Sequence, residues 1–368
     1  MLRDSLEQAQ NVVQTDTAVF FRQYIHKVSS IDRWSEDVAT RLEEYCLRKG
    51  KAVRALLVAL GAAIASGESL EKMLQDADVR RLMLVIEFTH RRLLLADDIA
   101  DQDEMRNEKP AFHVQFRQDL SQRPQYAKVS AEQLTHISRS YSEVAGIWLQ
   151  ALTWKLVEES GLEDSLRTRL AQILLQCVYE KTSAGWYILL DQNFETLEEQ
   201  ESEERLLKGL ELVTGEYTFV APLLLGATLK GASAQTLAQL EKYGQVAGVL
   251  FQITDDVLGL FGDPAVTGKP SGNDVREGKK TLLVQYAYRL GTTEEKAFLE
   301  RAVGNPSITV DEIQRVREIV EQTGALQKTK DVIADHVTRS LQALEALPNS
   351  PERDGLAELV YFLAQRQK

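Results

Sequence analysis

The chain has 368 residues, of which 44% are apolar and 27% charged, so a sizeable core can form and wholesale disorder is excluded. Its 43 basic residues against 55 acidic ones give a net charge of −12, a poor footing for nucleic acid, although carboxylates can reach phosphates through a divalent cation. Two cysteines, Cys46 and Cys177, lie far apart with no CxxC or histidine-rich partner, which argues against a disulfide framework or a zinc site.

From the N-terminus, MLRDSLEQAQ carries charge where a secretory leader needs an apolar stretch, and no apolar run reaches about 18 residues, so neither a leader nor a membrane span is expected. The expected setting is a reduced, cytoplasmic one. Helical periodicity dominates: residues 55–67, 80–101 and 142–160 place apolar side chains every three to four positions over three or more turns. Residues 107–130 mix proline, glutamine and charge and read as irregular, as do residues 262–280, rich in glycine, proline and aspartate. Pro222 lies inside an apolar segment and predicts a kink, whereas Pro110, Pro124, Pro264, Pro270, Pro306, Pro348 and Pro351 fall at expected helix breaks. There is no NG or DG hairpin, no βαβ rhythm and no internal repeat, so the fold class read from the pattern is all-α.

Each irregular stretch follows an apolar helix that ends in carboxylates. In the first, Asp97 and Asp101 point within about 40° of each other one turn apart, and Asp98 and Asp101 are separated by about 60°. Like charges at that spacing repel by a few tenths of a kcal/mol per pair, and a hard divalent cation reverses the sign. The second, Phe251 to Asp263, repeats the arrangement: an apolar helix, the pair Asp255-Asp256, then a loop with Lys269, Asp274, Lys279 and Lys280. A single acidic helix end is also found as a solvated terminus. Two of them, facing each other across a bundle, could hold metal ions and a diphosphate between them. Lys279 and Lys280 read as loop surface.

These residues resemble the trans-isoprenyl diphosphate synthases, the family of farnesyl and geranylgeranyl diphosphate synthases. The likeness runs in order from Gly50-Lys51-Ala52-Val53-Arg54, through Glu87-Phe88-Thr89-His90 and Asp97-Asp98-Ile99-Ala100-Asp101, then Thr214-Gly215-Glu216-Tyr217-Thr218-Phe219 and Pro222 to Ala227, to the segment Phe251–Thr281. The resemblance implies a single-domain helical bundle over residues 1–368 with a central cavity, a homodimer, and about three Mg²⁺ ions per site. It implies that Asp97, Asp101 and Asp255, with Asp98 and Asp256 nearby, bind Mg²⁺ bridged to an allylic diphosphate. Arg106 and Lys269 would neutralise that diphosphate. Lys51, Arg54 and His90 would bind isopentenyl diphosphate, and Thr214 and Gln252 would turn oxygen dipoles towards the allylic cation. The expected reaction condenses the two diphosphates to a trans-prenyl diphosphate of about C15–C20 and pyrophosphate. Heterolysis of the C–O bond needs electrostatic stabilisation of the leaving diphosphate and a dry cavity for the cation, and no side-chain nucleophile.

Several positions depart from the family pattern. Gly259 stands for the third aspartate of the second motif, Asn107-Glu108 for an Arg-Gly pair after Arg106, Val213 for a lysine before Thr214, and Gly185-Trp186 and Ala145-Gly146-Ile147 for two mid-helix elements. Residues 114–138 read as longer than usual. Arg91, Arg92 and Leu93 stand at the expected cavity floor, where Arg92 could cap a short cavity or swing out. Three readings follow: a chain-elongating synthase, a terpene synthase or cyclase that ionises an allylic diphosphate without condensation, and a catalytically weak partner subunit of an active homologue.

Overall fold

A computed structural model describes residues 2–199, 202–262 and 272–365, and these are almost entirely helical. The first seven helices are α1 (Leu2–Val28), α2 (Arg33–Cys46), α3 (Val53–Ser66), the short α4 (Leu70–Met73), α5 (Ala77–Ala100), α6 (Phe112–Ser121) and α7 (Ala131–Glu158). Then come α8 (Asp164–Ile173), α9 (Thr182–Phe194), α10 (Glu203–Leu210), α11 (Ala221–Leu229) and α12 (Ala234–Phe261). The C-terminal part holds α13 (Asn273–Glu277), α14 (Leu282–Leu290), α15 (Thr293–Ala302), α16 (Val310–Gln322), α17 (Ala325–Leu344) and α18 (Pro351–Gln365).

The central helices are those whose sequences are apolar all round. In α3 every residue from Ala55 to Ala63 is buried, and in α5 every residue from Leu82 to Thr89. A helix with no polar face has to be surrounded. Asp76 starts α5 by accepting hydrogen bonds from the backbone N–H groups of Asp78 and Val79, and Ser233 starts α12 by accepting from Thr236. Helix α11 lies so close to α3 that a Cβ on Gly226 would stand 1.9 Å from the carbonyl oxygen of Val58. The buried apolar residues form two clusters, and α12 supplies both: Leu240, Tyr243, Ala247 and Leu250 to one, Val249, Ile253 and Leu260 to the other. Each fully buried leucine or phenylalanine contributes about 1.5–3 kcal/mol by leaving water.

Two segments have wide, π-helical turns, Leu174–Lys181 between α8 and α9 and Glu211–Val220 between α10 and α11. They explain Pro222. The helix runs on through the proline, from Glu203 to Leu229. Pro222 falls in the first turn after the wide segment, where the hydrogen-bond register changes and a missing N–H is least costly. The run Glu203–Leu229 is also long and apolar enough to cross a membrane by composition, but 72% of its apolar window is buried inside the fold.

The stretch 107–130, read as irregular, is largely ordered. It opens with a small antiparallel hairpin, β1 (Met105–Arg106) and β2 (Lys109–Pro110), followed by α6 and a 3₁₀ turn at Pro124–Tyr126. The hairpin turn is Asn107-Glu108, both left-handed with φ of 53° and 62°, the pair of signs a type I′ turn requires. Helix α6 buries Phe112, His113, Val114, Phe116 and Leu120, which fixes it as helix despite its polar composition.

Candidate active site

One cavity of about 630 Å³ collects most of the residues singled out by sequence. Its walls include Asp97 and Asp101 from the end of α5, Asp255 and Asp256 from the end of α12, Thr214 from the wide segment before α11, and Gln252. Lys51, Arg54, His90, Arg106 and Asn107 line it as well, together with the apolar side chains Leu93, Leu94, Trp186, Val213 and Phe251. Asp98 is the exception: it is not part of this wall, is 1% exposed, and faces the Arg106 guanidinium from behind. Lys269 lies outside the described residues. Arg92 is not in the wall either; its stem packs against α7 at Gly146, where a Cβ would meet its Cδ at 3.1 Å.

At the first acidic end, Arg106 donates from Nε to Asp98 Oδ1 at 2.5 Å and from Nη2 to Asp97 Oδ2 at 2.9 Å, and it pairs with Asp103 at 3.3 Å. The predicted diphosphate partner is thus engaged with the carboxylates in this state. The hairpin carries Arg106 into place, and buried Arg48 clamps that hairpin by donating to the carbonyls of Arg106 and Pro110. Burial pushes the Asp98 carboxyl up to about 6 even with Arg106 beside it. Its Oδ2 is buried with no hydrogen-bond partner among the described residues.

The second acidic end is joined to the wide segment. Gly248 of α12 and Gly215 are in direct backbone contact: a Cβ on Gly248 would stand 2.2 Å from the Gly215 Cα. That closeness lets the Thr214 hydroxyl donate to Gln252 Oε1 at 2.8 Å, while Gln252 Nε2 donates to Asp256 Oδ1 at 3.0 Å. Burial, then the nearby Asp274 charge, pushes Asp256 up to about 7.

Lys279 and Asp274 were missed by sequence reasoning. Lys279 lines the cavity, with its Nζ 2.9 Å from Asp101 Oδ2, 2.7 Å from Glu277 Oε2 and 3.4 Å from Asp274 Oδ1. Burial opposes its charge, yet Asp274, Asp101 and Glu277 hold the ammonium well above its usual range. It therefore joins the first acidic end to Asp274 and Glu277 rather than lying on a loop surface. Local pattern offers Glu277 and Asp274 as partners but gives no sign of Asp101, which is far away in sequence.

Elsewhere in the same cavity, Arg54 donates to Tyr217 Oη at 2.9 Å and Thr218 Oγ1 at 2.8 Å, and its guanidinium carbon lies 4.7 Å from the centre of the Tyr217 ring. The His90 ring stacks with the Tyr217 ring, 6.1 Å between their centres. Burial, and then the charges of Arg54, Arg91 and Arg106, drive the His90 pKa well below its usual value, so the imidazole is neutral. Its Nδ1 is buried with no hydrogen-bond partner among the described residues.

The donor set fits magnesium. It consists of hard carboxylate oxygens on two walls, and among the described residues no three of them converge on one point. Mg²⁺ takes one or two carboxylates and completes its shell with water and phosphate oxygens, so the cavity suits ions that arrive with a diphosphate.

Comparisons with known proteins agree with this geometry. Residues 36–320 match the polyprenyl synthetase family. The chain is 27% identical to a short chain isoprenyl diphosphate synthase of Methanothermobacter thermautotrophicus over 92% of this chain and 93% of that one. It is 26% identical to a geranylgeranyl diphosphate synthase of Saccharolobus solfataricus over 96% and 99% of the two chains. Among solved structures it superposes on a geranylgeranyl pyrophosphate synthase from Corynebacterium glutamicum, complexed with isoprenyl diphosphate and magnesium, with a TM-score of 0.87 at 26% identity, covering 98% and 99% of the chains. With its fold and most of its length matched, the chain belongs to the polyprenyl synthetase family and is a trans-prenyltransferase.

Proposed function

We propose that this prenyltransferase condenses an allylic diphosphate with isopentenyl diphosphate to give a trans-prenyl diphosphate of about C15–C20. The observation that carries the reading is that one cavity holds both acidic ends together with a basic group, Lys51 and Arg54 beside neutral His90. Two diphosphates need two such poles. Asp97, Asp101, Asp255 and Asp256 would hold Mg²⁺ against the allylic diphosphate, about three ions in all, supplying Lewis-acid stabilisation of the leaving group. Asp98 acts one step removed, by holding Arg106. When the allylic diphosphate enters, Arg106 is in place to neutralise it, with Lys269 from the loop that follows. Lys51, Arg54 and His90 bind and orient isopentenyl diphosphate. Thr214 and Gln252 hold each other, which leaves the lone pairs of the Thr214 hydroxyl for the cation. Leu93, Leu94, Trp186 and Phe251 keep water from the cation.

The proposal extends to the assembly. One domain over residues 1–368 is supported by α12, which feeds both core clusters. A homodimer is supported by large apolar side chains left exposed on α7 and α9, Val144 and Ile147 on the first, Tyr187, Leu190 and Phe194 on the second, with Phe194 91% exposed. A cytoplasmic setting is supported by Cys46 and Cys177, both free thiols and both buried.

A second reading, ionisation of the allylic diphosphate without condensation, is favoured by Val213 and Trp186 in the wall, where an apolar and an aromatic side chain suit a cation retained in the cavity. The test is product identification with Mg²⁺ and geranyl or farnesyl diphosphate, with and without isopentenyl diphosphate. A longer diphosphate that requires isopentenyl diphosphate is expected. A hydrocarbon or alcohol from the allylic substrate alone would establish the second reading instead, and no turnover with any pairing would reject both.

A further inference from the structure

The hairpin that carries Arg106 is too small to hold itself in place. Its strands, β1 and β2, have two residues each, and an isolated two-stranded hairpin is at best marginally stable in water. The segment that carries Lys51 has the same need. Residues 49–52, between α2 and α3, have no regular secondary structure. They end on Ala52 with a left-handed φ of 50°, which an alanine keeps only where its surroundings fix it.

Arg48 braces both segments. Its side chain is 1% exposed, so the guanidinium has to find its partners inside the fold. Nη1 donates to the carbonyl of Arg106 at 3.2 Å and to that of Pro110 at 3.0 Å, one on each strand. Nε and Nη2 donate to Glu44 Oε2 at 3.3 and 3.1 Å, and the guanidinium carbon lies 5.0 Å from the centre of the Tyr45 ring. The other oxygen of Glu44 accepts from Lys109 of β2 at 2.6 Å. The backbone of this segment is held as well. Arg91 of α5 donates from Nη2 to the Arg48 carbonyl at 2.6 Å, and Asn107 in the hairpin turn donates from Nδ2 to the Lys49 carbonyl at 3.1 Å. Arg48 thus stands three positions before Lys51 in the chain while its side chain grips the backbone of Arg106. Lys51 and Arg106 line the cavity, and Arg48 lies outside its wall.

The geometry points to Arg48 as a positioning residue that fixes the Arg106 hairpin to the Lys51 segment, and so sets how far apart the two diphosphates are held. The proposal rests on the reading of this cavity as a two-diphosphate site. Two substrates condense only when their reacting carbons come within about 3–3.5 Å, so the spacing of their anchoring groups matters to the reaction. Arg48 acts through Arg106 and Lys51 and touches neither diphosphate. The competing role is that of a structural ion pair with Glu44, needed for folding and nothing else.

The test measures binding on the full chain by calorimetry, without turnover. Isopentenyl diphosphate is titrated alone, and inorganic pyrophosphate with Mg²⁺ is titrated once isopentenyl diphosphate is saturating. Arg48→Lys keeps a charge beside Glu44 but gives up the planar fork that spans both strands. It is expected to weaken both ligands by about two- to tenfold. In an Arg106→Gln background, where the hairpin presents no charge, Arg48→Lys should add little to the loss of pyrophosphate. Unchanged affinity for both ligands in a folded Arg48→Lys, a loss confined to one ligand, or an undiminished further loss beside Arg106→Gln would each overturn the proposal. Thermal melts establish folding. If Arg48→Lys does not fold, Glu44→Ala takes the carboxylate from Arg48 and Lys109 at a partly exposed position, and is expected to weaken both ligands in the same way; unchanged affinity there is equally fatal. The parent protein separates the two levels. If it binds both ligands and the variants bind them as tightly, the site stands and the Arg48 assignment falls. If the parent binds neither, the two-diphosphate reading falls and takes this proposal with it.

Discussion

The Lys279 ammonium stands 2.9 Å from Asp101 Oδ2, although the two residues are 178 positions apart. This contact ties the segment after α12 to the end of α5 and sets a tethered cation against the first acidic end. Removing it leaves Asp101, Asp274 and Glu277 facing one another without compensation. Lys279→Met is expected to lower the Tm of the metal-free protein by a few degrees. Mg²⁺ with pyrophosphate should close most of that gap, and a calorimetric melt in each condition measures it. A variant as stable as the parent without metal would show that the bridge is incidental.

Tyr217 holds Arg54 through one of two hydrogen bonds to the same guanidinium nitrogen. Losing one such bond costs about 0.5–1.5 kcal/mol. Tyr217→Phe should therefore raise the KM for isopentenyl diphosphate by roughly two- to tenfold. The KM for the allylic substrate, bound at the other pole, should stay where it is. Steady-state kinetics with each substrate varied in turn decide it, and equal effects on both would place Arg54 elsewhere in the reaction.

Metal affinity should depend on pH. Burial and the neighbouring Asp274 hold Asp256 at about 7 instead of the usual 3.8, so the folded protein keeps a proton there until the pH rises through neutrality. A cation needs the ionised form. Apparent Mg²⁺ affinity is expected to fall as the pH drops from 8 towards 6, by up to about tenfold per unit below 7. Binding near pH 6.5 should release protons, read by calorimetry in two buffers of different ionisation enthalpy. His90, already neutral, should add no step near 6.5. A flat affinity profile would remove Asp256 from the site.

Replacing Asp97 or Asp101 by alanine takes an oxygen ligand from the first acidic end. Turnover dependent on Mg²⁺ should fall by about 100-fold or more, with the melting curve little changed for Asp97→Ala. Retained activity in both variants would refute the proposed metal site.

Gly248→Ala sets a methyl 2.2 Å from the Gly215 Cα, backbone against backbone, where no side chain can yield. The expected cost is about 1–3 kcal/mol by urea unfolding. A fall in kcat should accompany it, because α12 must move away from the segment that carries Thr214. Unaltered stability would mean that the two helices tolerate respacing.

Much of this was legible in the sequence because the central helices are apolar over several turns and the acidic pairs end two of them. The rest depended on contacts that local pattern does not encode. The hairpin at Asn107-Glu108 was not read because it lacks a glycine; Glu108 accepts a left-handed φ of 62° that glycine would adopt more readily. Helix α6 was obscured by its glutamines and charges, although Phe112, Phe116 and Leu120 recur every four residues. Sequence also gives no sign of the wide turns that precede Pro222. The carboxyl that lies against Gly259, that of Asp274, comes from another helix, which local pattern does not show.

The contact between Gly215 and Gly248 limits how this enzyme can change. Any substitution at Gly248 adds atoms where there is no space, so the separation of the two helices cannot drift in small steps from that side. Thr214 and Gln252 are carried on that fixed spacing. Selection for a different substrate or product has to act on side chains that project from a rigid frame, such as Leu93, Leu94 and Trp186, while the distance between the groups that steer the cation is inherited unchanged.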